Sequence, residues 1–156
     1  MRKAIIFLLL PLLVSLTSCR EVGSADTVLR NFCASYGFSS GTMYSSEEKM
    51  TSPSYLDEKK FSTLYGVGER PLYHSVAVML YADMDGICEC GVFVCRGGAG
   101  KLDDVIATEE MLASRLYQIR KIFPEAEGVI LRYGRIVVYT VLPDNARAER
   151  LFSRIL

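Results

Sequence analysis

"YHSVAVMLYADMDGICECGVFVCR", residues Tyr73 to Arg96, holds two runs rich in β-branched and aromatic residues on either side of Asp85-Gly86. Asp-Gly between such runs favours a two-residue hairpin, because both central positions must tolerate positive φ. With Asp85 and Gly86 as the loop, Met84 opposes Ile87, and alternation places Val76, Val78 and Leu80 on one face with Phe93 and Cys95. That face is expected to be core. The other carries Ala77, Met79 and Tyr81 beside Cys88, Cys90, Val92 and Val94, apolar enough to need cover from the N-terminal helices or from a partner.

Working outward, "KLDDVIATEEMLASRLYQIRKIF" places Leu102, Val105, Leu112, Leu116, Ile119 and Phe123 at three- and four-residue steps, and Pro124 stops the helix. Val129–Leu131 and Ile136–Leu142 make a second hairpin turning at Tyr133-Gly134. Asp144 then caps a last helix carrying Leu151, Phe152 and Ile155. Upstream, Val28, Leu29, Phe32, Cys33 and Tyr36 share one helical face with Asp26 as cap, and Ser52 to Gly66 reads as a second helix. Ser39 to Ser54 is loop in composition, with eight Ser or Thr beside Gly41 and Pro53. The expected fold is α+β: a four-stranded antiparallel sheet from two pseudo-symmetric hairpin-helix units, helices mainly on one face, and two additional N-terminal helices.

The chain has 156 residues, one domain's worth, with 18 basic and 18 acidic side chains. That balance offers no positive field for nucleic acid, so none is expected as a partner. Arg2 and Lys3 precede the apolar run Ala4 to Val14, which is short for a bilayer span and interrupted by Pro11. Residues 1–18 therefore read as a secretory signal. "LTSC", Leu16 to Cys19, resembles the bacterial lipobox: leucine, two small residues, then the cysteine whose thiol takes a diacylglyceryl group and becomes the first residue after cleavage. The expected organisation is a lipoprotein signal peptide over 1–18, a lipidated tether over 19–25 and one domain over 26–156. The domain would then be held on the extracytoplasmic face of a cell membrane by lipid on Cys19.

The lipobox, "FSTLYGV" at Phe61 to Val67, "ECGVFVC" at Glu89 to Cys95, the long helix with Arg115 and Gln118, and "YGRIVVYTVLPDNARAERLF" at Tyr133 to Phe152 together carry a family likeness. Over nearly the whole mature chain the pattern resembles a family of bacterial lipoproteins, domain of unknown function 4358 (DUF4358). One departure is the short link "PEAEG" after the long helix, where that family suggests a longer connection. The resemblance implies a fold and an address, and no activity.

The residues with chemistry to offer are few. Cys88 and Cys90 share a strand face while Cys95 points to the other, the wrong arrangement for a closed zinc site. His74, the only histidine, lies seven residues before Tyr81, the position expected opposite Cys90, and so roughly 20 Å away along the strand. The cysteines read first as small buried hydrophobes. A disulfide, such as Cys33 with a strand cysteine, is the alternative that an exported location permits, and Cys33, Cys88, Cys90 and Cys95 allow three full pairings.

"GGAGKL" at Gly97 to Leu102 lacks the glycine and the Ser or Thr that a phosphate loop needs. "DMDG" at Asp83 to Gly86 would put Tyr81 and Val92 at calcium-ligand positions. No "GxSxG" elbow occurs. Asp103, Asp104, Glu109 and Glu110 offer paired carboxylates for glycan hydrolysis, although acidic residues are ordinary in a helix's first turn. Arg115 reads as an ion-pair partner before an anion ligand. The sequence thus points to a non-catalytic binding module of the cell envelope, with an envelope protein or glycan as partner and neither cofactor nor metal. An envelope enzyme, hydrolytic or thiol-dependent through Cys88, Cys90 or the acidic cluster, is the alternative.

Overall fold

The computed structural model describes residues 23–38, 40–67, 73–83, 86–96 and 102–156. Along the chain run α1 (Ala25–Tyr36), β1 (Thr42–Ser45), α2 (Glu58–Tyr65), β2 (Tyr73–Asp83), β3 (Gly86–Cys95), α3 (Leu102–Ile122), β4 (Gly128–Tyr133), β5 (Ile136–Val141) and α4 (Asn145–Ile155). The fold is α+β with one antiparallel sheet in the order β1-β2-β3-β5-β4.

The sheet has five strands, not the four expected. β1 lies inside the Ser/Thr-rich stretch and pairs Thr42 with Leu80 and Ser45 with Ala77. Its polar composition hides it, because an edge strand of four residues needs few apolar side chains. Met43 and Tyr44 nonetheless alternate, one packing against each core.

The helices lie on both faces, which corrects the expectation of one. α1 and α4 cover Ala77, Met79, Cys90, Val92 and Val94, with Phe32 and Phe152 stacked at 4.0 Å between ring centroids. α2 and α3 cover Val76, Val78, Phe93, Val137 and Tyr139. Both faces of the first hairpin are therefore core, and both were apolar in the sequence for that reason. Two hairpin-helix units do follow one another, but a two-fold axis relating adjacent antiparallel strands runs normal to the sheet and would leave α3 and α4 on one face. Their placement on opposite faces removes the pseudo-symmetry.

Register corrects both turns by one residue. Asp83 pairs with Gly86 and Tyr81 with Cys88, so the first hairpin closes one position earlier than an Asp85-Gly86 loop; Met84 and Asp85 lie outside the described residues. Tyr133 pairs with Ile136, which makes Gly134 and Arg135 the second loop, with Gly134 at φ +61. Face assignment survives because the strand partners shift by an even number. The caps follow side-chain geometry: Ser24, not Asp26, accepts from Thr27 N–H at α1, while Asp57 and Asp144 do the same at α2 and α4. Ala25, placed by the sequence in the tether, is fully buried and donates its N–H to Ser75 Oγ at 3.1 Å, so the domain begins there.

Candidate functional site

Glu89, Gly91 and Phe93 fall on one side of β3, facing α2 and α3. Gly91 sits opposite Tyr139 of β5, and a Cβ there would stand 2.5 Å from Tyr139 Cε1. The missing side chain lets the Tyr139 ring cross β3, and its hydroxyl donates to Glu89 Oε1 in a short hydrogen bond. Arg115 of α3 completes a bidentate pair on the same carboxylate, Nε to Oε1 at 2.9 Å and Nη2 to Oε2 at 2.6 Å. Tyr65 of α2 adds its hydroxyl to that of Tyr139 at 3.0 Å.

Glu89 is 1% exposed and the Arg115 side chain 18%. Burial, then the negative field of Glu89, push the Tyr65 and Tyr139 hydroxyls well above the ordinary tyrosine range. Burial alone would lower the Arg115 guanidinium, and the Glu89 carboxylate more than offsets it. Among the described residues no buried side-chain nitrogen or oxygen lacks a partner. This network is a sealed clamp joining α2, α3, β3 and β5, and the sequence reading of Arg115 as an ion-pair residue holds.

A concave surface lies elsewhere, at the end of the sheet where the first hairpin turns. A groove of about 680 Å³ is bounded by Ile87 and Cys88 of that hairpin, Phe123 and Glu127 after α3, and Leu142 and Asp144 before α4. Its volume falls in the ordinary range for a ligand site. Asn145 braces it, accepting from Thr140 Oγ1 at 2.8 Å and donating Nδ2 to the Glu127 carbonyl at 3.0 Å. The short "PEAEG" link is thus one wall. Glu125, Glu127 and Asp144 are exposed along the rim, but among the described residues no three His, Cys, Asp or Glu side chains are placed to hold a metal ion.

The remaining candidates separate. Cys33, Cys90 and Cys95 form no disulfide. Cys95 packs beside Thr108 Oγ1 at 3.5 Å, and burial raises its thiol. Cys90 is fully buried in the apolar cluster that Cys33 packs against, whereas Cys88 lines the groove. Cys90 faces Met79, and Tyr81 faces Cys88. His74 is exposed at a bulge at the far end of β2 from both Cys88 and Cys90. Asp103, Asp104, Glu109 and Glu110 occupy the first turns of α3 and do not line the groove. Cys19, residues 1–18 and Gly97 to Lys101 of the glycine-rich stretch lie outside the described residues. No described helix is long and apolar enough to cross a membrane.

The groove was not legible beforehand, because its walls come from three separate turns of the chain. The clamp left one trace, Glu89 two residues before Gly91 in a strand otherwise fit for a core. Compared with protein-family profiles, with curated proteins and with solved structures, the chain finds no match.

Proposed function

We propose that this chain is a lipid-anchored extracytoplasmic binding module of the DUF4358 type, tethered through Cys19, that engages an envelope protein or glycan without catalysing a reaction. The observation that carries the binding reading is the division of labour between the two polar regions. The strongly coupled ionisable groups, Glu89, Arg115, Tyr65 and Tyr139, satisfy one another inside the core, while the groove offers a mixed apolar and polar lining braced by Asn145. A pocket built for acid-base chemistry brings such groups together at its surface; a recognition surface needs shape, apolar contact and a few fixed polar groups. The lipobox supports the address, and short linkage to the bilayer makes recruitment by tethering the mechanism.

The test has two arms on protein in its native envelope. Intact mass should give a chain beginning at Cys19 with added lipid; an unmodified chain would remove the anchor. A photoreactive amino acid at Ala146, on the groove wall, should capture a discrete partner that the same group at Arg135, on the opposite turn, does not. Equal capture from both positions would remove the groove as the docking site.

A further inference from the structure

We infer that the outer edge of β4 is a self-association surface, through which two copies of this chain pair β4 against β4 and join their sheets into one. The two edges of the sheet are finished differently. At β1, Ser45 donates its N–H to the Ser54 carbonyl and its own carbonyl accepts from Leu56 N–H, so the segment leading to α2 lies along that edge. At β4, the other edge strand, no segment among the described residues pairs with the outer side.

The groups that β4 presents follow from β5. Cys95 N–H donates to the Arg135 carbonyl at 3.0 Å, so Arg135, Val137 and Tyr139 turn their backbone groups toward β3, and Ile136, Val138 and Thr140 toward β4. Their partners Tyr133, Leu131 and Val129 are thereby satisfied, which leaves the N–H and C=O of Gly128, Ile130 and Arg132 aimed outward. Such a row is a template for another strand, and β4 carries no proline, lysine or bulge to discourage one. Its apolar side chains stop half-buried on both faces, Ile130 at the border of the core under α3, Leu131 and Tyr133 at the border of the core under α4.

The occupant that fits is a second copy, because the edge is complementary to itself. In an antiparallel pair centred on Ile130, Ile130 meets Ile130, Gly128 meets Arg132 and Val129 meets Leu131. This register engages every outward residue of both strands, and a shift along the edge leaves some unpaired. It also sets Arg132, the one charged residue of β4, opposite a glycine instead of a second arginine. α4 lies over β5 and β4, with Ser153 on the Tyr133 hydroxyl at 3.0 Å, so the pairing sets the two α4 helices side by side, about 10 Å apart and within packing distance.

The pairing rests on the domain and not on the anchor. Its two-fold axis runs normal to the sheet and sends the two Ala25 ends opposite ways. Two anchored chains therefore pair only by lying along the bilayer, and chains too sparse to meet stand alone.

The experiment uses the full chain in detergent over a dilution series, with mass followed by sedimentation. A short bis-thiol crosslinker on Ile130→Cys should give a 130-to-130 link by peptide mapping, and on Thr42→Cys, exposed on the β1 edge, no corresponding link. Arg132→Pro removes one outward N–H from each copy and should weaken association about thirtyfold, the loss of two backbone hydrogen bonds. Arg132→Ala keeps both and should associate as the wild type does. A monomer at every concentration, equal linkage at positions 130 and 42, or linkage of position 130 in the native envelope only to a different protein would overturn the pairing. An Arg132→Pro chain that stays dimeric would also overturn it, by assigning association to shared micelles. Should Arg132→Pro fail to fold, wild-type amide exchange decides: the β4 peptide should gain protection as concentration rises, and unchanged exchange would refute the edge contact.

Discussion

At the residue scale the clamp around Glu89 sets the largest single-site effects. Arg115→Met leaves a buried carboxylate with Tyr139 as its remaining side-chain donor, and losing one partner of a buried pair costs about 3–5 kcal/mol. Urea denaturation of Arg115→Met should show that loss. Adding Glu89→Gln should recover part of it, because the stranded charge is removed with the second substitution. A loss below about 1 kcal/mol, the range of exposed pairs, would mean the guanidinium is effectively solvated. The tyrosines add a pH dependence of definite sign. Their folded pKa values stand above that of the unfolded chain, about 10, so their contribution is fully present below that pH and declines as pH rises beyond it. After an alkaline pH jump, the tyrosinate absorbance of Tyr65 and Tyr139 should grow at the rate at which circular dichroism is lost. Complete ionisation of all tyrosines ahead of unfolding would refute the placement of these hydroxyls.

At the element scale the sheet behaves as a partition between two cores, each closed by its own pair of helices. Phe32 joins α1 to α4 on one side through its stack on Phe152, and Arg115 joins α3 to β3 on the other. Phe32→Ala should cost about 3–5 kcal/mol, as expected for removing a fully buried ring. Combined with Arg115→Met the two losses should add, since neither site shares a partner with the other; a marked departure from additivity would show that the sheet transmits strain between its faces. The same partition explains what could be read from sequence. Alternation in Val76 to Leu80 and in Cys88 to Cys95 separated the two faces correctly, because parity survives a turn displaced by one residue. The turns themselves were misplaced because pairing in the sheet, not the Asp85-Gly86 or Tyr133-Gly134 dipeptide, fixes the register. Which face each helix covers is a tertiary choice, and all four helices have an apolar stripe that would suit either. β1 gains its place from the exposed edge of β2 and carries almost no signal of its own.

At the scale of the whole molecule the start of α1 and the groove occupy opposite ends of the sheet. Ala25 meets Ser75 at the start of β2, and the Tyr36 hydroxyl at the other end of α1 accepts from Asp144 N–H beside the groove. Ser75 and Tyr81, which lines the groove, are six residues apart on β2, about 20 Å. Cys19 precedes Ser24 by five residues, which even fully extended reach only about 18 Å. In the lipid-anchored reading this geometry keeps the Ala25 end near the bilayer and gives the groove its greatest reach away from it, a useful placement for capturing a partner in the envelope. If the anchor is at Cys19, a fluorophore at Arg135, in the turn at the end of the sheet away from the groove, should be quenched by nitroxide headgroups in vesicles carrying the lipidated protein, and one at Ala146 much less. Equal quenching at both positions would mean that the domain lies flat on the membrane. Stronger quenching at Ala146 would turn the groove toward the bilayer and make lipid, instead of an envelope protein or glycan, its natural ligand.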